Sequence, residues 1–369
     1  MKKIVMAIYR NLSRVFDNKL LKIMMLLFIV TIIIYSENIN AENKIGVNIL
    51  VIDCKQSHLR KILKIEFNEN SILSNEILND DIEDFTCISK GDFIYKNSKD
   101  EWYKGNVRFP DSKSKISSLL ILKGDLIFPT LSNYGDKLVW HSGMPNNSLM
   151  VTELNTGKLF TLISKIGYMA LPSWSPDDKY IAYYYGPTNA MEVDNFSLMI
   201  IEVKESKAKE TEIAPPSFQT YFPGRYRSPL WSPDGKIIIF ESNYIDNKQP
   251  TCSYYVMNIN SKNLKPFTAW GKWSKDGKKI FTKITIEDEK VGTKDTLAIA
   301  DVSKKGELED LKIDLPKYLS TWTWSNDGRY FAFSDDNGKV FIVDVDKKEK
   351  LEIFKCDSVI NLYWIDENK

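Results

Sequence analysis

The sequence predicts an all-β propeller, seven blades favoured over six, behind an N-terminal export segment. Three observations lead there. A short phrase recurs along the chain with a Trp, a Ser and an Asp in fixed register. Its copies are spaced by about one four-stranded blade, a period of ~40–45 residues. The two ends of the chain carry incomplete units that complement each other.

The phrase is clearest at Pro229–Phe240, Pro-Leu-Trp-Ser-Pro-Asp-Gly-Lys-Ile-Ile-Ile-Phe. It returns at Pro172–Tyr183, Gly271–Phe281 and Thr323–Phe333. A weaker copy at Thr130–Trp140 has Leu131 for the Trp and a turn shifted to Gly135-Asp136. Ser89–Tyr95 is a worn copy, and Leu362–Asp366 begins one more and stops.

Each part of the phrase has a physical reading. Trp174, Trp231, Trp273, Trp324 and Trp364 each end an inner strand, where an indole can fill the space between neighbouring blades. Ser-Pro-Asp-Gly is a turn: Pro presets φ, Asp bonds its own backbone and Gly accepts positive φ. Asp177, Asp234, Asp276 and Asp327 therefore read as turn formers, one per blade, and not as a metal cluster. A β-rich second strand comes after each turn. Third strands are predicted at Leu198–Val203, Tyr254–Asn258, Thr296–Val302 and Val340–Val345.

Taken in order, residues 1–41 read as a signal peptide or membrane anchor. Lys2, Lys3, Arg10, Arg14, Lys19 and Lys22 precede an uncharged apolar run, Ile23–Tyr35, an asymmetry that places the remainder of the chain outside the cytoplasm. The run suits a signal core, whereas the long charged leader suits an anchor over residues 20–35, so cleavage and retention both stay open. Residues 45–67 carry two strand-like runs, Val47–Ile52 and Leu59–Phe67, which read as the third and fourth strands of a blade. The chain ends on a first strand without partners. Joining these remnants in one blade closes the ring and removes an exposed sheet edge. Six motif-led units and this shared one give seven blades; without a separate blade at Ser89 there are six. Residues 68–84 are predicted as a short crossing helix.

The Trp-Ser-Pro-Asp-Gly turn at 231–235 and its copies resemble the TolB-type propeller repeat, also called the WD40-like PD40 repeat. The resemblance covers residues 45–369 and implies a propeller without the α/β domain that precedes it in TolB. It implies a fold and no particular activity, since propellers host many.

Composition narrows the partners. The 369 residues are 43% hydrophobic and 12% aromatic, enough for a large core, and the net charge is +1. Without a basic patch, nucleic acid is not an expected partner, and a monomer is expected. Cys54, Cys87, Cys252 and Cys356 form no CxxC. They read as buried thiols, with a disulfide from Cys54 to Cys87 or Cys356 as the alternative if the ring closes.

Alternation of strands puts first-to-second and third-to-fourth turns on one face, which is tight throughout. The opposite face carries the expansions: His141–Asn147, Gly186–Phe196, Asn243–Cys252, Ile284–Asp295 and the link Ser206–Ser228. Binding on a rigid scaffold usually lives in such loops. Within that link Tyr221, Phe222, Arg225, Tyr226 and Arg227 interleave aromatic and cationic groups, suited to a protein interface, a sugar or an acidic ligand. His141 and Tyr244 share the face. Glu192, Asp194, Asp246 and Glu287-Asp288-Glu289 offer hard oxygens for calcium, with solvated loop charges as the plain alternative and no cofactor expected.

Catalysis finds little support. His58 and His141 are the two His residues, and no Gly-x-Ser-x-Gly elbow occurs. The expectation is a non-catalytic envelope scaffold that binds a protein or cell-wall ligand. The alternative is a hydrolase or lyase acting on glycan or peptide at the axial funnel.

Overall fold

The computed structural model describes residues 48–365 apart from 58, 68–71, 79–81, 89, 117–126, 143–146, 187–195, 215–226, 243–252, 289–291, 305 and 317–318. Residues 49–65 and 73–369 form one compact unit. Asn48, Glu66, Phe67 and Ile72 fall outside that unit and are strand residues.

Among the described residues the chain forms seven four-stranded antiparallel sheets. The first to be entered contains β1 (Asn48–Gln56), β2 (Leu59–Phe67) and β3 (Ile72–Leu78). The second contains β4 (Ile82–Cys87), β5 (Asp92–Asn97), β6 (Trp102–Asn106) and β7 (Phe109–Lys115). The third contains β8 (Ile127–Leu131), β9 (Lys137–His141), β10 (Ser148–Glu153) and β11 (Leu159–Ser164). The fourth contains β12 (Tyr168–Trp174), β13 (Tyr180–Gly186), β14 (Ser197–Glu202) and β15 (Glu210–Ala214). The fifth contains β16 (Leu230–Trp231), β17 (Ile237–Ser242), β18 (Ser253–Asn258) and β19 (Asn263–Phe267). The sixth contains β20 (Lys272–Trp273), β21 (Lys279–Asp288), β22 (Gly292–Asp301) and β23 (Glu307–Asp314). The seventh contains β24 (Thr321–Trp324), β25 (Tyr330–Ser334), β26 (Lys339–Asp344) and β27 (Glu349–Lys355). Finally β28 (Ser358–Ile365) returns to the first sheet, whose order is β28-β1-β2-β3. This is a seven-bladed propeller closed by both ends of the chain.

The closure is a continuous antiparallel ladder from Ile49 opposite Ile365 to Lys55 opposite Ser358, with one bulge at Asp53/Cys54. Asp357 N–H donates to the Lys55 carbonyl at 3.0 Å, and Ser57 N–H donates to the Asp357 carboxylate at 2.7 Å. Two predicted details change. β28 supplies the first strand of this blade, so β1 and β2 are its second and third strands, not its third and fourth. The predicted helix at 68–84 is absent from the described part of that stretch, where β3 and β4 run instead. Its apolar spacing misled because β3 is an outer strand: Ile72 and Leu73 face solvent while Ile77 and Leu78 are buried. Two expansions shrink as well. The fourth strand β15 lies inside the predicted link Ser206–Ser228, and most of Ile284–Asp295 continues the β21–β22 hairpin as paired strand.

Successive blades meet through their first strands, β4 against β8, β8 against β12, β12 against β16 and β24 against β28. The first strands therefore form the inner ring. Fourth strands such as β7 and β27 are largely exposed and form the rim. A lone sheet cannot bury both faces, so the core lies in the seams between blades. Trp174 packs with Val139, Leu149 and Val151 of the third blade and with Ile181 and Tyr183 of its own. Trp324 does the same between Phe281 and Leu297 on one side and Phe331 and Val343 on the other. The closing Trp364 stacks on Tyr330 of the seventh blade, with ring centroids 5.8 Å apart.

The repeated turn is one hydrogen-bond device used four times. Ser175 Oγ donates to Asp177 at 2.7 Å and accepts from Tyr180 N–H at 2.9 Å. Ser232, Ser274 and Ser325 make the same pair of bonds, to Asp234 and Ile237, Asp276 and Lys279, and Asp327 and Tyr330. In the weaker copy Ser132 reaches Asp136 instead, at 2.9 Å. The fifth position of the phrase needs positive φ, and Gly235, Gly277 and Gly328 supply it at 69°, 70° and 75°. In the fourth blade a non-glycine holds that position: Asp178, with φ of 56°. Its carboxylate crosses the seam and accepts from Asn133 N–H at 2.8 Å, Asn133 Nδ2 at 2.7 Å and Tyr134 N–H at 2.9 Å. Left-handed strain at Asp178 is thus offset by a clamp between the third and fourth blades.

Candidate functional site

The face opposite the repeated turns is where first strands begin and second strands end. Three groups of side chains gather there, each held by a different pair of elements.

The first is cationic and aromatic. Arg227 precedes β16, Trp270 precedes β20, and Trp322 lies on β24, so the three stand at the inner ends of three consecutive blades. The Arg227 guanidinium carbon lies 4.2 Å from the centroid of the Trp270 ring and 5.7 Å from that of Trp322. The two indoles meet edge to face at 6.2 Å and 77°. Trp322 is backed by Phe331 at 5.7 Å, which fixes its plane against the core. All three side chains are half-buried. Trp270 Nε1 is shielded from solvent and has no hydrogen-bond acceptor among the described residues. No carboxylate pairs with Arg227 among the described residues. A cation over an indole with free donor positions can take a carboxylate or a hydroxyl-rich ring.

The second group surrounds His141, the last residue of β9. Its ring lies edge to face with Tyr168 at 5.7 Å, and Tyr168 meets Phe196 at 6.4 Å. The imidazole is 1% exposed, and neither ring nitrogen has a hydrogen-bond partner among the described residues. Burial holds its pKa below the ordinary 6.5, so it is neutral at neutral pH. Burial also raises the Tyr168 phenol above its usual value.

The third group is a buried ion pair. Arg60 of β2 bonds Asp53 of β1 through Nε and Nη2, both at 2.8 Å, and its Nη1 donates to the Glu83 carbonyl of β4. Asp53 is fully buried, and this desolvation lifts its pKa despite the Arg60 bonds. The pair joins the first blade to the second. Breaking it would strand a charge, which makes it structural in character.

Of the residues the sequence singled out, Arg227 belongs to the first group. His141 lies in the second, sealed within a seam. Tyr221, Phe222, Arg225, Tyr226 and Tyr244 lie outside the described residues, as do Glu192, Asp194, Asp246 and Glu289. The export segment at residues 1–41 also lies outside them. Among the described residues no three His, Cys, Asp or Glu side chains gather as a metal site, and no helix is long and apolar enough to cross a membrane. Trp270 and Trp322 escaped the sequence reading. Their signal was present: each stands two or three residues before a repeated Trp, on the strand that a reading centred on the turn passes over.

No protein-family model matches the sequence, and no curated protein matches it. Solved structures do. Oligogalacturonate lyase in complex with manganese superposes with a TM-score of 0.56 and 12% identity, over 83% of this chain and 84% of that one. The Cps50 (Swd1) β-propeller domain of Myceliophteria thermophila gives 0.51 and 10%, over 76% and 88%. TolB from Acinetobacter baumannii gives 0.45 and 16%, over 85% and 81%. The fold is that of a β-propeller, and the expected seven blades are observed.

Proposed function

We propose that the chain is a non-catalytic, extracytoplasmic scaffold that binds a carboxylate-bearing glycan or protein segment at the inner end of its expanded face. The observation that carries this reading is Arg227, poised over Trp270 and beside Trp322 with no carboxylate partner among the described residues. Arg and Trp are the side chains that dominate binding energy where they are held rigidly, and here Phe331 and the seam hold them. Extracytoplasmic placement rests on the charge asymmetry of residues 1–41. Tyr221, Phe222, Arg225 and Tyr226 lie just before Arg227 in the chain and would extend the same surface.

The likeness to oligogalacturonate lyase motivates the first probe, a polyanionic sugar, and also frames the catalytic alternative. Oligogalacturonate titrated into the protein should quench tryptophan fluorescence, and neutral maltooligosaccharide should not. Arg227→Ala and Trp270→Ala should each weaken that response about tenfold or more, the loss of ~1–3 kcal/mol expected for an anchor. If acidic peptide replaces the sugar as the active probe, the partner is a protein. Appearance of unsaturated sugar product would replace the scaffold with a lyase. Quenching unaffected by both substitutions would move the site elsewhere.

A further inference from the structure

The ring closure holds a pair of thiols that the candidate site does not use. Cys54 lies on β1 directly after the bulge, opposite Val359 of β28. Cys356 lies in the short link that brings the chain from β27 into β28. Both are buried, and both are free. The residues that adjoin them, Lys55 and Asp357, are joined by a backbone hydrogen bond of 3.0 Å, which brings the two thiols to the same end of this sheet. The surrounding backbone is fixed on both sides. Cys356 N–H donates to the Gly338 carbonyl at 3.0 Å, its Sγ lies 3.7 Å from the same oxygen, and the next residue, Asp357, bonds Lys55.

We propose that Cys54 and Cys356 form a disulfide under oxidising conditions, a covalent clasp across the seam where the two ends of the chain meet. It would join the strand that opens the ring to the link that feeds its closing strand. The bond between Asp357 and Lys55 already ties these two segments together.

The chemistry balances with a disulfide donor as oxidant, whether a thiol–disulfide oxidoreductase or oxidised glutathione. Either thiol can be the attacking group. Its thiolate attacks one sulfur of the donor, forms a mixed disulfide and releases one thiolate. The other cysteine then loses its proton and displaces the second. Two thiols become one disulfide, and the donor leaves as two thiols. Because both sulfurs are buried in the closed ring, the donor reaches them before β28 docks.

The test uses the full chain carrying Cys87→Ala and Cys252→Ala, so that only this pair remains. It is refolded from denaturant in a glutathione redox couple or, in parallel, in excess reductant. Alkylation and peptide mass mapping should find a reducible link between the segments containing Cys54 and Cys356, with no free thiol left. The unfolding equilibrium of the oxidised form should shift toward the native state by roughly 30- to 1,000-fold relative to the reduced form. Cys54→Ala or Cys356→Ala added to this background should abolish the shift while leaving the reduced form folded by circular dichroism. Two alkylated thiols after refolding in the glutathione couple would overturn the proposal. So would a link in the wild-type chain that joins either residue to Cys87 or Cys252.

Discussion

The two faces of this propeller are built by different means. On one, four Ser–Asp turns repeat the same bonds within a few tenths of an ångström, from Ser175 to Ser325. On the other, no two described groups are alike: a cation over two indoles, a sealed imidazole and a buried ion pair. Repetition closes four of the blades with the same local bonds. Irregularity leaves side chains such as Arg227 held by the scaffold yet uncommitted to it. That division of labour is common where binding is grafted on a rigid frame.

The largest test of this contrast concerns what holds both faces together. Truncation after Cys356 removes Val359, Leu362, Trp364 and Ile365, all buried. At ~1.5–3 kcal/mol for each buried side chain, the loss rivals the whole stability of an ordinary domain. Cooperative thermal unfolding should disappear, and an unchanged transition would mean that the ring does not depend on β28.

A smaller effect separates the turn from the clamp built on it. Asp178→Gly keeps the left-handed position comfortable but removes the acceptor for Asn133 and Tyr134. Denaturant unfolding should show a loss of about 1.5–3 kcal/mol, the range for hydrogen bonds to a charged group. A neutral result would mean that relief of backbone strain equals the value of the clamp.

The smallest effect is pH dependence, which should differ between the faces. Bonds to Ser232 and Ser274 hold Asp234 and Asp276 below their ordinary pKa. Their contribution is therefore present above about pH 4 and is lost as pH falls through the depressed folded values. His141 behaves differently. Its folded pKa also lies below 6.5, but its neutral form is the buried one, so the unfolded chain binds the proton first. Stability should fall as pH drops below about 6.5, before the turn carboxylates respond. His141→Phe should flatten the unfolding midpoint between about pH 7.5 and 5, leaving the change below about pH 4. An unaltered profile above about pH 4 would mean that His141 does not set the pH response.

Much of this architecture was legible because the turn chemistry is local. Ser, Asp and Gly at fixed spacing dictate a turn whatever surrounds them, and the Trp before them dictates a seam. The closing blade was legible as two remnants, but its strand order was not, since apolar runs at Val47 and Leu59 carry no mark of position within a sheet. Ile72, Leu73, Ile77 and Leu78 imitated a helix because a rim strand need bury only part of one side. At the candidate site Arg227 was visible through its aromatic company in sequence. Trp270 and Trp322 became its partners only through the stacking of three blades, a relation that no spacing within one repeat contains.

The hydrogen bond from Ser57 to Asp357 spans 300 residues. A chain made from its N-terminus therefore carries β1 with one edge unsatisfied until nearly everything else has been synthesised. Contacts so remote in sequence form late and slowly, because their entropy must be lost before they return anything. The interval leaves an open strand edge to which other chains can pair. Whatever shields β1 during synthesis, a chaperone or a transient neighbour, acts on this molecule at its most vulnerable moment.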